Sequence, residues 1–249
     1  MIEKFIVLDT ETTNDIECPL AYDIGFAVID KSGFVYEKFS FVVADVFLDE
    51  ELMSSAYFIE KIPMYWEQIK KGERVLKRLY NIRKVIIEIM MKYNTKIVIA
   101  HNARFDYIST ATTQRYLTKS KYRYFFPYGT EFWDTLKMSK EVFKDDEDYC
   151  AFCTENDYLT KNNSVKLTAE ILYRYLTNDN SFIESHTGLE DVLIEKEIFV
   201  ECVRRNPNIN GKLWWVCPLT FGPGVRQYVQ RDDREFGDFD DWQKYNYGV

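Results

Sequence analysis

Apolar positions in the first part of the chain follow the short blocks and alternation of β-strands. Residues 5–8 form a continuous apolar run, as expected of a strand that is buried on both faces. Residues 22–30 and 34–43 are rich in β-branched and aromatic side chains, and a turn-like Lys-Ser-Gly segment joins them. The pattern predicts three opening strands in an antiparallel meander.

The apolar spacing then becomes helical. Residues 74–93 place apolar side chains at helical intervals with Lys and Arg on the other side, so a helix is predicted there. Further along, the pattern predicts strands over 96–100 and 132–134 and helices over 105–117, from Thr135, and over 148–156, 168–176 and 189–205. This order predicts an α/β fold with a mixed central sheet of about five strands, the first three antiparallel, flanked by helices.

The character of the chain changes near residue 207. No internal repeat or Pro/Gly/Ser-rich linker divides the earlier part, so we expect one domain over 1–206. We expect residues 207–249 to form a C-terminal arm that packs on the domain or is partly disordered. Trp214 and Trp215 are the predicted anchors of this arm.

The overall charge narrows the class of partner. The 249 residues carry 32 Lys and Arg against 40 Asp and Glu, a formal net charge of −8. Such a chain repels phosphate at long range, so non-specific binding along duplex nucleic acid is not expected. Action on nucleic acid would need metal ions or local basic patches that screen the phosphates.

Cysteine usage and the N-terminus indicate the compartment. The five cysteines have no framework-like spacing, and the N-terminal segment leaves no room for a signal-peptide hydrophobic region. No apolar run approaches the roughly 20 residues that span a bilayer. We therefore expect a cytoplasmic protein in a reducing compartment, with no membrane association.

Two carboxylates follow the first predicted strand. Asp9 and Glu11 are two positions apart, so on an extended chain their side chains point the same way. The D-x-E spacing recurs elsewhere in this acidic chain, but here it follows an apolar strand, where open α/β sheets bind ligands. Buried like charges repel each other, so a divalent cation is favoured over the alternative, a solvated turn.

Two further acids begin predicted helices. Asp106 follows the strand 96–100, and Asp191 lies about one turn into a helix that His186 precedes. Each has a simpler explanation when taken alone. Asp106 would complement a helix dipole, and the segment around His186 would cap a helix.

Taken together and in order, these motifs resemble those of the DEDDh 3′–5′ exonucleases. This family is the proofreading-exonuclease-like branch of the ribonuclease H-like fold and includes enzymes similar to ribonuclease T. The resemblance extends over roughly residues 5–205 and includes a strand-to-helix segment at 133–136. It rests on the motifs Asp9-Thr10-Glu11 with Thr12 and Thr13, His101-Asn102-Ala103-Arg104-Phe105-Asp106, and His186 followed five residues later by Asp191.

The resemblance implies a two-metal hydrolase. Two divalent ions, Mg²⁺ or Mn²⁺, would be held by oxygen ligands, one by Asp9, Glu11 and Asp191 and the other by Asp9 and Asp106. His186 would act as the general base in an in-line displacement at a 3′ end. The products would be nucleoside 5′-monophosphates, and the substrate single-stranded nucleic acid, with DNA favoured over RNA.

Candidate substrate contacts lie in and after the first two motifs. Arg115 and Tyr116 begin a segment in which Lys and Arg alternate with aromatic rings, a composition that suits single-stranded nucleic acid. The alternative is a solvated helix end whose aromatic rings enter the core. The full set of candidates is Thr10, Thr12, Asn102, Arg115 and Tyr116.

Two other functions stay open at this point. One is an RNA-trimming exoribonuclease of the same family, and the other is a catalytically silent nuclease-fold module that only binds. Four mutually repelling acids argue against a silent site. Zinc is not expected, because Cys150 and Cys153 have no second close pair. Any polymerase or replication partner would act in trans, and the oligomeric state is left open.

Overall fold

A mixed sheet of six strands organises the part of the chain that the computed structural model describes, residues 2–13, 18–118 and 124–213. The strands lie in the order β4-β3-β2-β1-β5-β6. The first three are antiparallel neighbours, whereas β4, β5 and β6 each pair in parallel. The strands are β1 Phe5–Thr13, β2 Leu20–Ile29, β3 Val35–Val43, β4 Val75–Lys77, β5 Ile97–Ala100 and β6 Glu131–Asp134. This confirms the predicted class of fold and its antiparallel start.

Helices cover both faces of the sheet. The five predicted helices from residue 105 onward are confirmed, with bounds that differ by one residue at most. The short helices over residues 44–61 were not predicted. In chain order the helices are α1 Ala44–Phe47, α2 Glu50–Met53, a 3₁₀ helix Ile59–Lys61, α3 Ile62–Lys71, α4 Leu79–Lys92, α5 Arg104–Leu117, α6 Thr135–Phe143, α7 Glu147–Glu155, α8 Ala169–Thr177 and α9 Gly188–Arg205. No helix among the described residues is long and apolar enough to cross a membrane.

The predicted helix 74–93 is wrong at its beginning. Val75–Lys77 is strand β4, which adds a sixth strand where about five were expected, and the helix starts at Leu79. A carboxylate oxygen of Asp45 accepts the Leu79 N–H at 2.8 Å and marks this start. The apolar spacing did not distinguish the two structures, because Leu76 is buried on a strand and would be equally buried on a helix.

The first strand is longer than its apolar run. It continues to Thr13 because its second half pairs with β2. Asp9 and Glu11 therefore lie on the strand itself and not after it, and their backbone is fixed by ladder hydrogen bonds.

Alternate residues of β1 enter different cores. Ile6 and Leu8 pack on the face that α4 and α5 cover, and Phe5 and Val7 pack on the face of α6 and α9. Both α5 and α9 lie against β1 and β2. The two helices that begin with predicted site residues thus approach the same strand from opposite sides.

The predicted C-terminal arm is described only at its beginning. Leu213 N–H donates to the Phe132 carbonyl at 2.8 Å, so this segment starts along β6. Residues 214–249, which include Trp214 and Trp215, lie outside the described residues. The arm and the domain boundary at 206 stay predictions.

Candidate active site

The strand β1 carries two carboxylates that form no salt bridge with any described residue, although the charge of Lys61 acts on Glu11. Asp9 lies opposite Gly25 and Glu11 opposite Asp23 in the β1–β2 ladder. The Oδ2 atom of Asp9 is buried and has no hydrogen-bond partner among the described residues. Burial, reinforced by neighbouring carboxylates, raises the pKa of Asp9 well above its usual value and that of Glu11 to about 9. A divalent cation would compensate this charge.

Asp106 joins this site from the first turn of α5. It is buried, and its Oδ1 accepts a hydrogen bond from the hydroxyl of Thr10 at 2.8 Å. Burial raises the pKa of Asp106 to about 7, although the bond from Thr10 acts in the opposite direction. The Asp106 carboxylate is therefore tied to β1.

Thr10 has a different task from the predicted one. It was expected to contact substrate, but its side chain is buried and its hydroxyl lies between Asp106 and Ser109, 2.8 Å from each. Thr10 points to the opposite face of the strand from its neighbours Asp9 and Glu11. It positions an acid and leaves no hydroxyl for a substrate.

Asp191 enters from the first turn of α9. Its Oδ2 accepts the N–H of Thr187, the N-cap residue of α9, at 3.0 Å, whereas the Thr187 side chain makes no capping hydrogen bond. Burial and the nearby Glu184 raise the pKa of Asp191 to about 8. Ligand atoms of Glu11, His186 and Asp191 all lie within 4.8 Å of one another. Oxygen ligands of one Mg²⁺ are at most about 4.2 Å apart, so small adjustments would let the oxygens of Glu11 and Asp191 bind one ion.

His186 is held in an unusual conformation at the edge of the site. Its φ of 47° is in the left-handed region, which a non-glycine residue seldom adopts. The imidazole stacks on the ring of Phe58, with centroids 4.5 Å apart. Lys61 Nζ donates to the carbonyls of Ser185 and His186 at 2.7 and 3.3 Å. Partial burial, and then the charge of Lys61, lower the pKa of His186, which favours the neutral imidazole.

A fifth carboxylate, Glu195, was missed by the sequence analysis. It lies on α9 one turn after Asp191 and is buried. Burial and the charge of Asp106 raise its pKa well above the usual value. The i, i+4 spacing of Asp191 and Glu195 was the available signal, because such residues share a helix face.

The start of α9 is locked onto β2. Asp23 is fully buried and accepts hydrogen bonds from Tyr65 Oη at 2.7 Å, Arg74 Nη1 at 2.9 Å and Gly188 N–H at 3.0 Å. A Cβ on Gly25 would lie 2.1 Å from the carbonyl carbon of Gly188, so the two backbones meet where only glycine fits. This contact fixes the position of the helix that carries Asp191.

The histidine of the second motif is held between neighbouring segments. Nδ1 of His101 lies 2.9 Å from Thr135 Oγ1, and Nε2 lies 2.8 Å from the carbonyl oxygen of Leu167. Burial lowers its pKa. Since both ring nitrogens are engaged, His101 joins the end of β5 to α6 and to the segment before α8.

The other candidate substrate contacts are dispersed. Thr12 is half-buried on β1, and Asn102 is exposed in a left-handed turn whose N–H donates to Asp134 at 2.9 Å. Arg115 and Tyr116 lie in the last turns of α5, nine or more residues after its acid, which is about 13 Å along a helix.

The proposed basic and aromatic segment is only partly described. Tyr116 packs against the core, as do Phe125 and Phe126, which favours the alternative of core aromatics at a helix end. Residues 119–123, with their three basic side chains, lie outside the described residues, so the role of this segment in binding stays a prediction.

Comparison with solved structures supports the assignment of the fold. An exonuclease I from Methylocaldum szegediense is 15% identical with a TM-score of 0.51, covering 82% of this chain and 41% of that chain. E. coli exonuclease I in complex with a 5cy-dT13 oligonucleotide is 12% identical with a TM-score of 0.51, covering 83% and 41%. The chain spans less than half the length of either neighbour, and the likeness shows a ribonuclease H-like fold. No protein-family model and no curated protein matches the chain.

Proposed function

We propose that the protein is a metal-dependent 3′–5′ exonuclease of the DEDDh type. The observation that carries this proposal is the grouping of Glu11, His186 and Asp191 within 4.8 Å, beside the unpartnered buried oxygen of Asp9. Metal-assisted phosphodiester hydrolysis uses a group of carboxylates next to a general base. Here the carboxylates come from one strand and two helices and lie beside an imidazole.

The acids would hold two divalent ions. Asp9, Glu11 and Asp191 are the residues for one ion, and Asp9 with Asp106 for the other. When bound, the ions lower the pKa of a coordinated water and stabilise the charge of the leaving 3′ oxygen. Four carboxylates carry a charge of −4 and two such ions carry +4, so a phosphodiester would enter a nearly neutral site despite the acidic protein.

His186 supplies the base. Its lowered pKa keeps the imidazole neutral near pH 7, so it accepts the proton of the attacking water at Nε2. Glu184 Oε2 lies 3.8 Å from Nδ1, where its charge would stabilise the imidazolium that results. Burial raises the pKa of Glu184 to about 7, so its charge, and the support that it gives, increases with pH.

The substrate proposed is the 3′ end of single-stranded DNA, and the products are nucleoside 5′-monophosphates. The E. coli neighbour is described in complex with an oligodeoxynucleotide, which supports DNA over RNA. A polymerase or replication partner in trans and a cytoplasmic location belong to the same proposal. An RNA-trimming exoribonuclease has no specific structural observation in its favour.

The test uses 5′-labelled single-stranded DNA and RNA of equal length, with Mg²⁺, with Mn²⁺ and with EDTA. We expect a ladder that shortens from the 3′ end only when metal is present, and faster on DNA. Asp106→Asn should abolish the ladder without unfolding the protein. Asp148→Asn removes the same charge from an exposed position on α7 and should cleave like the unmodified protein.

Each other outcome has a definite meaning. Faster cleavage of RNA than of DNA would identify the protein as the RNA-trimming exoribonuclease instead. Binding of either polymer without metal-dependent cleavage would identify a silent binding module. Cleavage by Asp106→Asn at the original rate would show that the site assignment is wrong.

A further inference from the structure

Glu195 has a buried carboxylate in which only one of the two oxygens accepts a hydrogen bond from a described residue. The residue is 3% exposed. Its Oε1 accepts the backbone N–H of His101 at 3.0 Å, whereas Oε2 is buried without a hydrogen-bond partner among the described residues. A carboxylate oxygen in this state is costly unless a cation or a proton compensates it.

The charges that act most strongly on Glu195 add to this cost. Those that act on it most strongly are the carboxylates of Asp106, Asp191 and Glu184. In turn, Glu195 is the strongest of the like charges that act on Asp9, whose Oδ2 also has no hydrogen-bond partner in the described part of the chain. The two carboxylates repel each other, and each has a buried oxygen without a partner among the described residues, which is the setting that a cation would relieve.

We propose that Glu195 is a fifth carboxylate ligand of the metal centre and binds, through Oε2, an ion that Asp9 also binds. This inference rests on the proposed function. A fifth carboxylate gives the ligands a charge of −5 against +4 for two ions, so it favours tight retention of the metal. The competing role is purely structural, as the acceptor for the His101 N–H.

The experiment measures Mn²⁺ binding by electron paramagnetic resonance on EDTA-treated full-length protein. E195Q keeps an oxygen for the His101 N–H and removes only the charge and the anionic ligand. We expect Mn²⁺ affinity to fall about ten- to hundredfold for at least one ion. E197Q is the matched control, because Glu197 is on the same helix, half-exposed and paired with Lys196, and its Mn²⁺ affinity should match that of the unmodified protein.

A second readout is the melting temperature. In EDTA at alkaline pH, E195Q should melt higher than the unmodified protein, because the substitution removes a buried carboxyl group whose ionisation is costly. Saturating Mn²⁺ should then raise its melting temperature by less. A purely structural Glu195 would leave both the Mn²⁺ affinity and the shift caused by Mn²⁺ unchanged.

The outcomes separate this inference from the proposed function. Unchanged Mn²⁺ affinity in E195Q, with binding by the unmodified protein, overturns the role of Glu195 alone. Absence of Mn²⁺ binding by the unmodified protein overturns both. If E195Q does not fold, E195M fills a similar volume without charge, and unchanged affinity in that variant overturns the inference equally.

Discussion

The ring of Phe58 lies flat on the imidazole of His186, with 12° between the planes and 4.5 Å between the centroids. Lys61 contacts both residues of this pair. Its Nζ lies 3.8 Å from the centroid of the Phe58 ring and donates a hydrogen bond to the His186 carbonyl. The segment before α3 therefore sets the orientation of a residue more than 120 positions later in the chain. The proposed base is placed by packing as well as by its own backbone.

Removal of this ring should impair the base. An aromatic pair is worth about 0.5–1.5 kcal/mol, so we expect Phe58→Ala to lower kcat about two- to tenfold with little change in KM. Exposure would also raise the pKa of His186, so the acidic limb of the pH–rate profile should move to higher pH. Steady-state kinetics over a range of pH measures both effects. Tyr80→Ala, which removes an exposed ring on α4, is the control, and an equal effect there would refute the positioning role.

Thr10 should act through Asp106. Thr10→Val keeps the shape of the side chain and removes the 2.8 Å hydrogen bond, a loss of about 1–3 kcal/mol for a buried acceptor. We expect the Mg²⁺ concentration for half-maximal activity to rise, with activity recovered at high Mg²⁺. Thr13→Val is a close control on the same strand, because the buried Thr13 hydroxyl has no hydrogen-bond partner among the described residues. Equal Mg²⁺ dependence in the two variants would contradict this role.

The parts of this fold that were predictable are those in which local pattern and tertiary environment agree. The helix α9 has both an apolar face and a polar beginning, and its predicted bounds differ by one residue. The strand β4 is three residues long, and its pairing with β3 comes from a segment 34 residues earlier, so nothing local distinguishes it from the start of a helix.

The candidate site divides in the same way. Asp106 and Asp191 lie in the first turns of their helices, and Asp9 and Glu11 follow the apolar run on β1, so the pattern could locate all four. Contacts across long sequence separations, such as that of Lys61 with the backbone around residue 186, leave no periodicity in the sequence. Among the missed side chains, Glu195 alone had a local signal, its helical spacing from a predicted acid.

The metal-free protein should lose stability as the pH rises. In the folded state the pKa values of Asp106, Asp191 and Glu11 are about 7, 8 and 9, against usual values of 3.8, 3.8 and 4.5. The folded state therefore binds more protons than the unfolded state between these limits, so the free energy of unfolding falls as the pH increases through this window. We expect the melting temperature in EDTA to fall from about pH 5 to about pH 9.

Metal should weaken this dependence of the melting temperature on pH. Saturating Mg²⁺ replaces the protons, so the fall in melting temperature with pH should become smaller. In EDTA, Asp106→Asn should also make this fall smaller. Differential scanning fluorimetry over the pH series measures each curve. A melting temperature in EDTA that rises over the same range would show that these carboxylates are compensated by something other than protons or metal.

The backbone contact between Gly25 and Gly188 should leave no room for a side chain at either position. Gly25→Ala would place a Cβ 2.1 Å from a backbone carbon of α9, and neither backbone is free to yield, since Gly188 N–H also donates to Asp23. We expect a loss of about 4 kcal/mol or more in the free energy of unfolding, measured with urea.

Gly72→Ala is the matched control for this substitution. Its φ is 74°, but no atom of the described residues lies within 4 Å of the added Cβ, so only the strain of about 1–2 kcal/mol applies. If Gly25→Ala folds at all, α9 must move away from β2, and Mn²⁺ binding should be lost because Asp191 moves with the helix. Full Mn²⁺ affinity in a folded Gly25→Ala protein would show that the glycine contact does not position the carboxylates.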